Sequence, residues 1–228
     1  HEAAAHAASL VPVPRPRLPR LSPSRRGRAG ATPPQTLLSS LPRGTRLLGA
    51  LPVGTDGTCW LLSTPAALLT VSTSVDEALP LPGRLPWDRV TRASWQAEER
   101  LLTLRLLGEG ADRQLRVPPV LRYEVGGDAE GALEQVREVD EAPLLRSLRE
   151  RVEAAIVHHV STTLPSGVRL TASVRRSEDG RLYTALEPSA HADGVAGHSA
   201  EVEALLRRVR DGVGLPTHAD SPNIPPLT

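Results

Sequence analysis

The chain of 228 residues contains no lysine, no phenylalanine and no methionine. Isoleucine occurs twice (Ile156, Ile224), asparagine once (Asn223) and cysteine once (Cys59). Each gap excludes something. Without lysine there can be no phosphate loop of the G-x-x-x-x-G-K-[ST] type. A single cysteine permits no intrachain disulfide, which favours a reducing compartment. Cys59 lies between Thr58 and Trp60 in an apolar run and reads as a small buried hydrophobe, not a reactive thiol. No window approaches the ~18 consecutive apolar residues of a membrane span. Ala7 to Val13 is too short and too interrupted by proline for a signal-peptide core. The Arg- and Ser-containing, acid-poor N-terminus also fits an organelle transit peptide, but the expected location is cytoplasmic. The absence of methionine implies some trimming at the N-terminus.

The scarce residue types have AT-rich codons, and those that replace them have GC-rich codons, as mutational pressure in a GC-rich genome produces. All 27 basic residues are arginine. Arginine enrichment alone therefore carries little weight, because arginine also fills the places of lysine. Leucine and valine must fill the core. Trp60, Trp87, Trp95, Tyr123 and Tyr183 are the large rings, expected as packing anchors.

What is present is unevenly spread. Residues 1–36 hold six arginines (Arg15, Arg17, Arg20, Arg25, Arg26, Arg28) and one acid, Glu2, for a local charge of +5. The other 192 residues hold 21 arginines and 25 acids, for a charge of −4. The formal net charge of +1 thus conceals a basic arm on a mildly acidic body. Proline recurs through Val11 to Arg20, where it removes N–H donors and fixes φ, so the arm is expected to be extended.

Beyond the arm the pattern predicts an antiparallel α+β protein. Short Leu- and Val-rich runs bounded by Gly, Pro, Asp and Ser read as strands over 46–53, 58–62, 66–72, 89–95, 101–107 and 113–117. The segment 126–140 reads as a surface insertion with a short helix over 129–138. Pro143 opens a helix that the i, i+3, i+4 spacing of Leu144, Leu148, Val152, Ala155, Ile156 and His159 carries to His159. Val168 to Arg175 alternates apolar with polar residues and, with 181–187, forms a hairpin. Ser199 reads as the N-cap of a last helix that ends at Gly212 and Gly214.

Three stretches resemble bacterial pleckstrin-homology-like (PH-like) domains: Leu41-Pro-Arg-Gly-Thr-Arg-Leu-Leu-Gly-Ala50, Cys59-Trp-Leu-Leu-Ser-Thr64 and Leu85-Pro-Trp-Asp-Arg-Val-Thr-Arg-Ala-Ser-Trp95. The later helix–strand–strand–helix order, with Arg-Glu-Arg-Val-Glu-Ala at 149–154, is similar to uncharacterised actinobacterial proteins. The resemblance implies a bent antiparallel β-barrel capped by the helix from Pro143 to His159. It implies no functional residues. The expected division is an arm over 1–36, a PH-like barrel with its capping helix over 37–160, a β-hairpin plus helix over 161–214 and a Pro-rich tail over 215–228.

No catalytic constellation stands out. There is no G-x-S-x-G elbow, and Gly108-Glu-Gly110 and Gly126-Gly127 lack the dinucleotide fingerprint. His158-His159 reads as a capping or partly buried pair. His191, Asp193 and His198 are of types that suit zinc, but at a spacing matching no compact metal motif. Arg175-Arg176 and Arg207-Arg208-Arg210 read as solvated faces diluted by neighbouring acids. The arm is the strongest positive signal. The expected function is a non-enzymatic binding or accessory subunit, without a cofactor or metal, that Arg15 to Arg28 anchor to a larger protein or ribonucleoprotein assembly. Binding of a nucleic-acid phosphate backbone through the arm is the alternative, and a hydrolase or metal enzyme using His191 or His198 is a third reading.

Overall fold

The computed structural model describes residues 30–54, 56–74, 79–125 and 133–215. The chain is α+β with antiparallel sheets throughout this region. After a short helix α1 (Gln35–Ser39), strands β1 (Gly49–Val53), β2 (Cys59–Ser63), β3 (Ala67–Ser72) and β4 (Arg84–Pro86) form a four-stranded meander. A single 3₁₀ turn (Trp87–Arg89) leads into a second meander of β5 (Val90–Gln96), β6 (Leu101–Leu106) and β7 (Arg113–Arg116). The hairpin β8 (Val120–Val125) and β9 (Leu133–Glu138) follows, then helix α2 (Ala142–Ala155). The last part is a three-stranded sheet of β10 (Ile156–Thr163), β11 (Arg169–Arg176) and β12 (Leu182–Glu187), with helix α3 (Ser199–Asp211) against it.

The two meanders do not close into a barrel. Pro86 and the 3₁₀ turn bend the chain out of β4 before β5 begins, and the two sheets keep separate hydrogen-bond ladders. One tie crosses the far side, where Gly54 N–H donates to the Arg116 carbonyl at 3.1 Å.

Between the meanders and α2 lies the larger core. Every residue of β2, Cys-Trp-Leu-Leu-Ser, is buried, as a central strand covered on both faces must be. Leu144, Leu148, Val152 and Ala155 project from α2 into this core at helical spacing. Leucine does the filling that the missing aromatics would do, and Trp60 and Trp87 are its buried rings. Both indoles are satisfied: Trp60 Nε1 donates to the Gly57 carbonyl and Trp87 Nε1 to the Thr64 carbonyl, each at 2.9 Å. Ser147 on α2 donates to Ser63 on β2 at 2.7 Å, which pairs two hydroxyls that burial would otherwise penalise. A second core joins β11, β12 and α3 through Leu170, Val174, Leu186, Val202, Leu205 and Val209.

Three expectations from local pattern are corrected. Helix α2 ends at Ala155, four residues before His159, and the chain passes directly into β10. Five of the eight residues of Ile156-Val-His-His-Val-Ser-Thr-Thr163 are β-branched, and ladder pairing with β11 outweighs the continuing helical spacing. Leu133–Glu138 is a strand, not part of a helix, because it pairs with β8, where Tyr123 lies opposite Gln135. The rest of that expected helix falls outside the described residues. Lastly, the N-cap of α3 is His198, and Ser199 is its first helical residue.

Candidate functional site

A cleft of about 590 Å³ opens between the β5–β7 sheet and the β10–β12 sheet. Its far wall comes from β11. On that strand Leu170, Ala172 and Val174 enter the second core, so the period of two turns Arg169, Thr171, Ser173 and Arg175 to the opposite side, into the cleft. The near wall is Thr91 and Arg92 of β5 and Arg105 of β6. Glu109, His159 and Glu187 complete the polar lining.

Arg175 is the most enclosed of these groups, with 3% of its surface exposed. Its Nε donates to Ser173 Oγ at 3.1 Å, and its Nη1 donates to the carbonyls of Asp88 and Val90 at 3.0 and 3.1 Å. Burial lowers its pKa, while the charges of Glu187, Tyr183 and Asp88 oppose that shift. Arginine nevertheless stays protonated at neutral pH, because its starting value is so high. Glu187 is half-buried, and its carboxyl is pushed upward by burial against the opposing effects of Arg175, Thr91 and Arg105. Arg105 is held by Asp112 at 2.6 Å, a hydrogen bond that raises its pKa and lowers that of Asp112. Glu109 is held by Arg113, whose Nε lies 2.8 Å away. Neither Arg92 nor Arg169 forms a salt bridge with any described residue.

Beneath the cleft lies a buried link between the two layers. The Tyr183 hydroxyl on β12 donates to Asp88 Oδ2 at 2.7 Å. Burial, followed by the hydrogen bond and charge of Asp88, raises the Tyr183 pKa. A separate and more apolar groove of about 550 Å³ runs between β5 and α2, lined in part by Trp95, Leu145 and Val152.

The structure treats the expected site residues unevenly. Arg15, Arg17, Arg20, Arg25, Arg26 and Arg28 lie outside the described residues. His191 and Asp193 are exposed in the loop after β12, and His198 Nδ1 sits 3.6 Å from Glu201 Oε1. Among the described residues no group of three or more His, Cys, Asp or Glu side chains is placed to hold a metal ion. His158 and His159 sit on a strand, so they point to opposite faces. The His158 ring lies against Gly212 at the end of α3, while His159 lines the cleft. Cys59 is fully buried and its thiol donates to Ser72 Oγ at 3.1 Å. Arg175, expected on a solvated face, is instead enclosed. The one signal that pointed toward the cleft was the run of Arg, Thr, Ser and Arg at every second position of β11.

No helix among the described residues is long and apolar enough to cross a membrane. No protein-family model, curated protein or solved structure matches the chain.

Proposed function

We propose that this protein is a non-enzymatic binding or accessory subunit, anchored to a larger assembly through the basic segment that contains Arg15, Arg17, Arg20, Arg25, Arg26 and Arg28. The observation that carries this reading is charge segregation: +5 on residues 1–36 against −4 on the remaining 192. Codon bias raises arginine everywhere, but it does not separate arginine from acids. A cationic segment rich in proline loses little conformational freedom on docking and reaches along an acidic surface. The cytoplasm is the proposed setting, in keeping with a chain whose single cysteine, Cys59, is buried.

The body is proposed to be a PH-like domain whose barrel stays open. In support are a four-stranded meander, a three-stranded meander and a following helix, α2, that touches β1, β2 and β5. In this reading β8 and β9 are an insertion before the capping helix.

The test is gentle affinity purification of the full chain and of a chain lacking residues 1–36, with identification of what accompanies each. Loss of the co-purifying assembly on deletion is expected. Unchanged association overturns the anchoring role. Accompanying material that is nucleic acid alone, released steeply by salt, overturns it in favour of phosphate-backbone binding.

A further inference from the structure

The geometry points to the cleft between β5–β7 and β10–β12 as a binding site for a small phosphorylated polyol, a ligand of sugar-phosphate size. This inference stands apart from the arm. Four arginines face two carboxylates across the cleft, and of these Arg105 is held by Asp112 and Glu109 by Arg113. Arg92 and Arg169, one on each wall, form no salt bridge with a described residue, and Arg92 only adds to the field at Asp112.

Arg175 adds a buried positive charge to the lining. Its hydrogen bonds to Ser173 Oγ and to the Asp88 and Val90 carbonyls fix the guanidinium in the wall of the cleft, with only 3% of the residue exposed. Withdrawing a guanidinium from water is costly unless its donors are met. Those bonds satisfy the buried group and leave its charge fixed beside the cleft, while the planar forks of exposed Arg92 and Arg169 suit a phosphate through parallel N–H···O bonds.

The remaining lining selects what carries the phosphate. Thr91 and Ser173 keep acceptor lone pairs beyond their bonds to the Arg105 carbonyl and Arg175 Nε, and Glu187 adds a carboxylate acceptor, which suit the hydroxyls of a polyol. Its one ring is His159, and no Trp, Tyr or Phe provides a large platform on which a nucleobase would stack. The two carboxylates also oppose a continuous phosphodiester chain. A volume of about 590 Å³ lies within the range of small-molecule sites.

Isothermal titration calorimetry on the full chain tests the proposal, with fructose 1,6-bisphosphate, inorganic phosphate and fructose as probes. The bisphosphate is expected to bind more tightly than phosphate, and fructose not at all. The double variant Arg92→Ala/Arg169→Ala alters two exposed side chains and should keep the wild-type melting temperature. It should weaken bisphosphate binding by about tenfold or more, the scale of one or two charge-assisted hydrogen bonds. Absence of bisphosphate binding, equal binding of fructose, or undiminished binding by the double variant overturns the proposal. So does a site that takes single-stranded RNA but not the bisphosphate. Replacing all six arginines of the arm with alanine should leave bisphosphate binding intact, so failure of the anchoring role and failure of the cleft are read separately.

Discussion

The Tyr183 hydroxyl lies 2.7 Å from Asp88 Oδ2 and donates to it, which ties the last sheet to the bend between the two meanders. Asp88 is 4% exposed, and Arg175 reaches its backbone carbonyl from the neighbouring strand. One buried carboxylate and its flanking backbone thus join segments some ninety residues apart in the chain, at separations of 87 and 95.

Replacing Tyr183 with phenylalanine keeps the ring and removes the donor. Asp88 then remains buried and loses its hydroxyl partner, and leaving a buried acceptor unmet costs about 1–3 kcal/mol. Urea denaturation should show a lower midpoint with an unchanged slope. A midpoint equal to that of the wild type would mean that water replaces the hydroxyl without loss.

Gly49 opens β1 where it passes the start of α2. A methyl group there would stand 2.5 Å from Leu144 N and 2.6 Å from Leu144 Cα. Those are backbone atoms of a helix, so neither side can give way by a rotamer change. Gly49→Ala is therefore expected to destabilise the fold by about 1–3 kcal/mol or more through overpacking. Thermal unfolding followed by circular dichroism measures it, and an unaltered melting temperature contradicts the close approach.

Glu187 has its carboxyl pKa raised by burial. The folded state therefore binds its proton more tightly than the unfolded state does. Its contribution to stability is fully present below the ordinary carboxylate range and is lost as pH rises through that range to the higher folded value. Glu187→Gln keeps the shape without the titration. The variant should gain stability relative to the wild type as pH rises through this window, read from denaturation midpoints at successive pH values. A constant difference across the window would show that Glu187 titrates alike in both states.

Much of the architecture was legible because it rests on local signals. The six strands expected between 46 and 117 correspond to β1, β2, β3, β5, β6 and β7, since Gly, Pro and Asp interrupt each apolar run where a turn must fall. Alternation marked β11, and helical spacing marked the start of α2 and the body of α3. The errors lie where two periods compete. Ile156 and His159 extend the α2 stripe, yet the residues around them are β-branched, and only a partner strand decides between the two. The hairpin β8–β9 escaped notice for a related reason: Leu133-Glu-Gln-Val-Arg-Glu138 carries charged residues suited to a helix and becomes a strand only by pairing with β8.

The cleft was less legible still. Arg175 and Glu187 are ordinary strand residues in the linear chain, and alternation along β11 puts Arg175 and exposed Arg176 on opposite faces without telling which arginine is enclosed. They differ because successive residues of a strand face opposite ways: Arg175 is covered by the bend at Asp88 and Val90, while Arg176 is the last residue of β11, beyond Leu170, Ala172 and Val174 in the second core.

By itself the sequence determined the antiparallel α+β class, the leucine-filled core and the separation of a basic arm from an acidic body. These follow from composition and short-range periodicity, which act within a few residues. Tertiary structure alone decided that the two meanders remain unclosed, that α2 runs straight into β10, and that Arg92, Arg105, Arg169 and Arg175 share one cleft. Those outcomes depend on which strand edges meet and which faces are covered, and hydrogen bonds and burial between distant segments are not written in any local window.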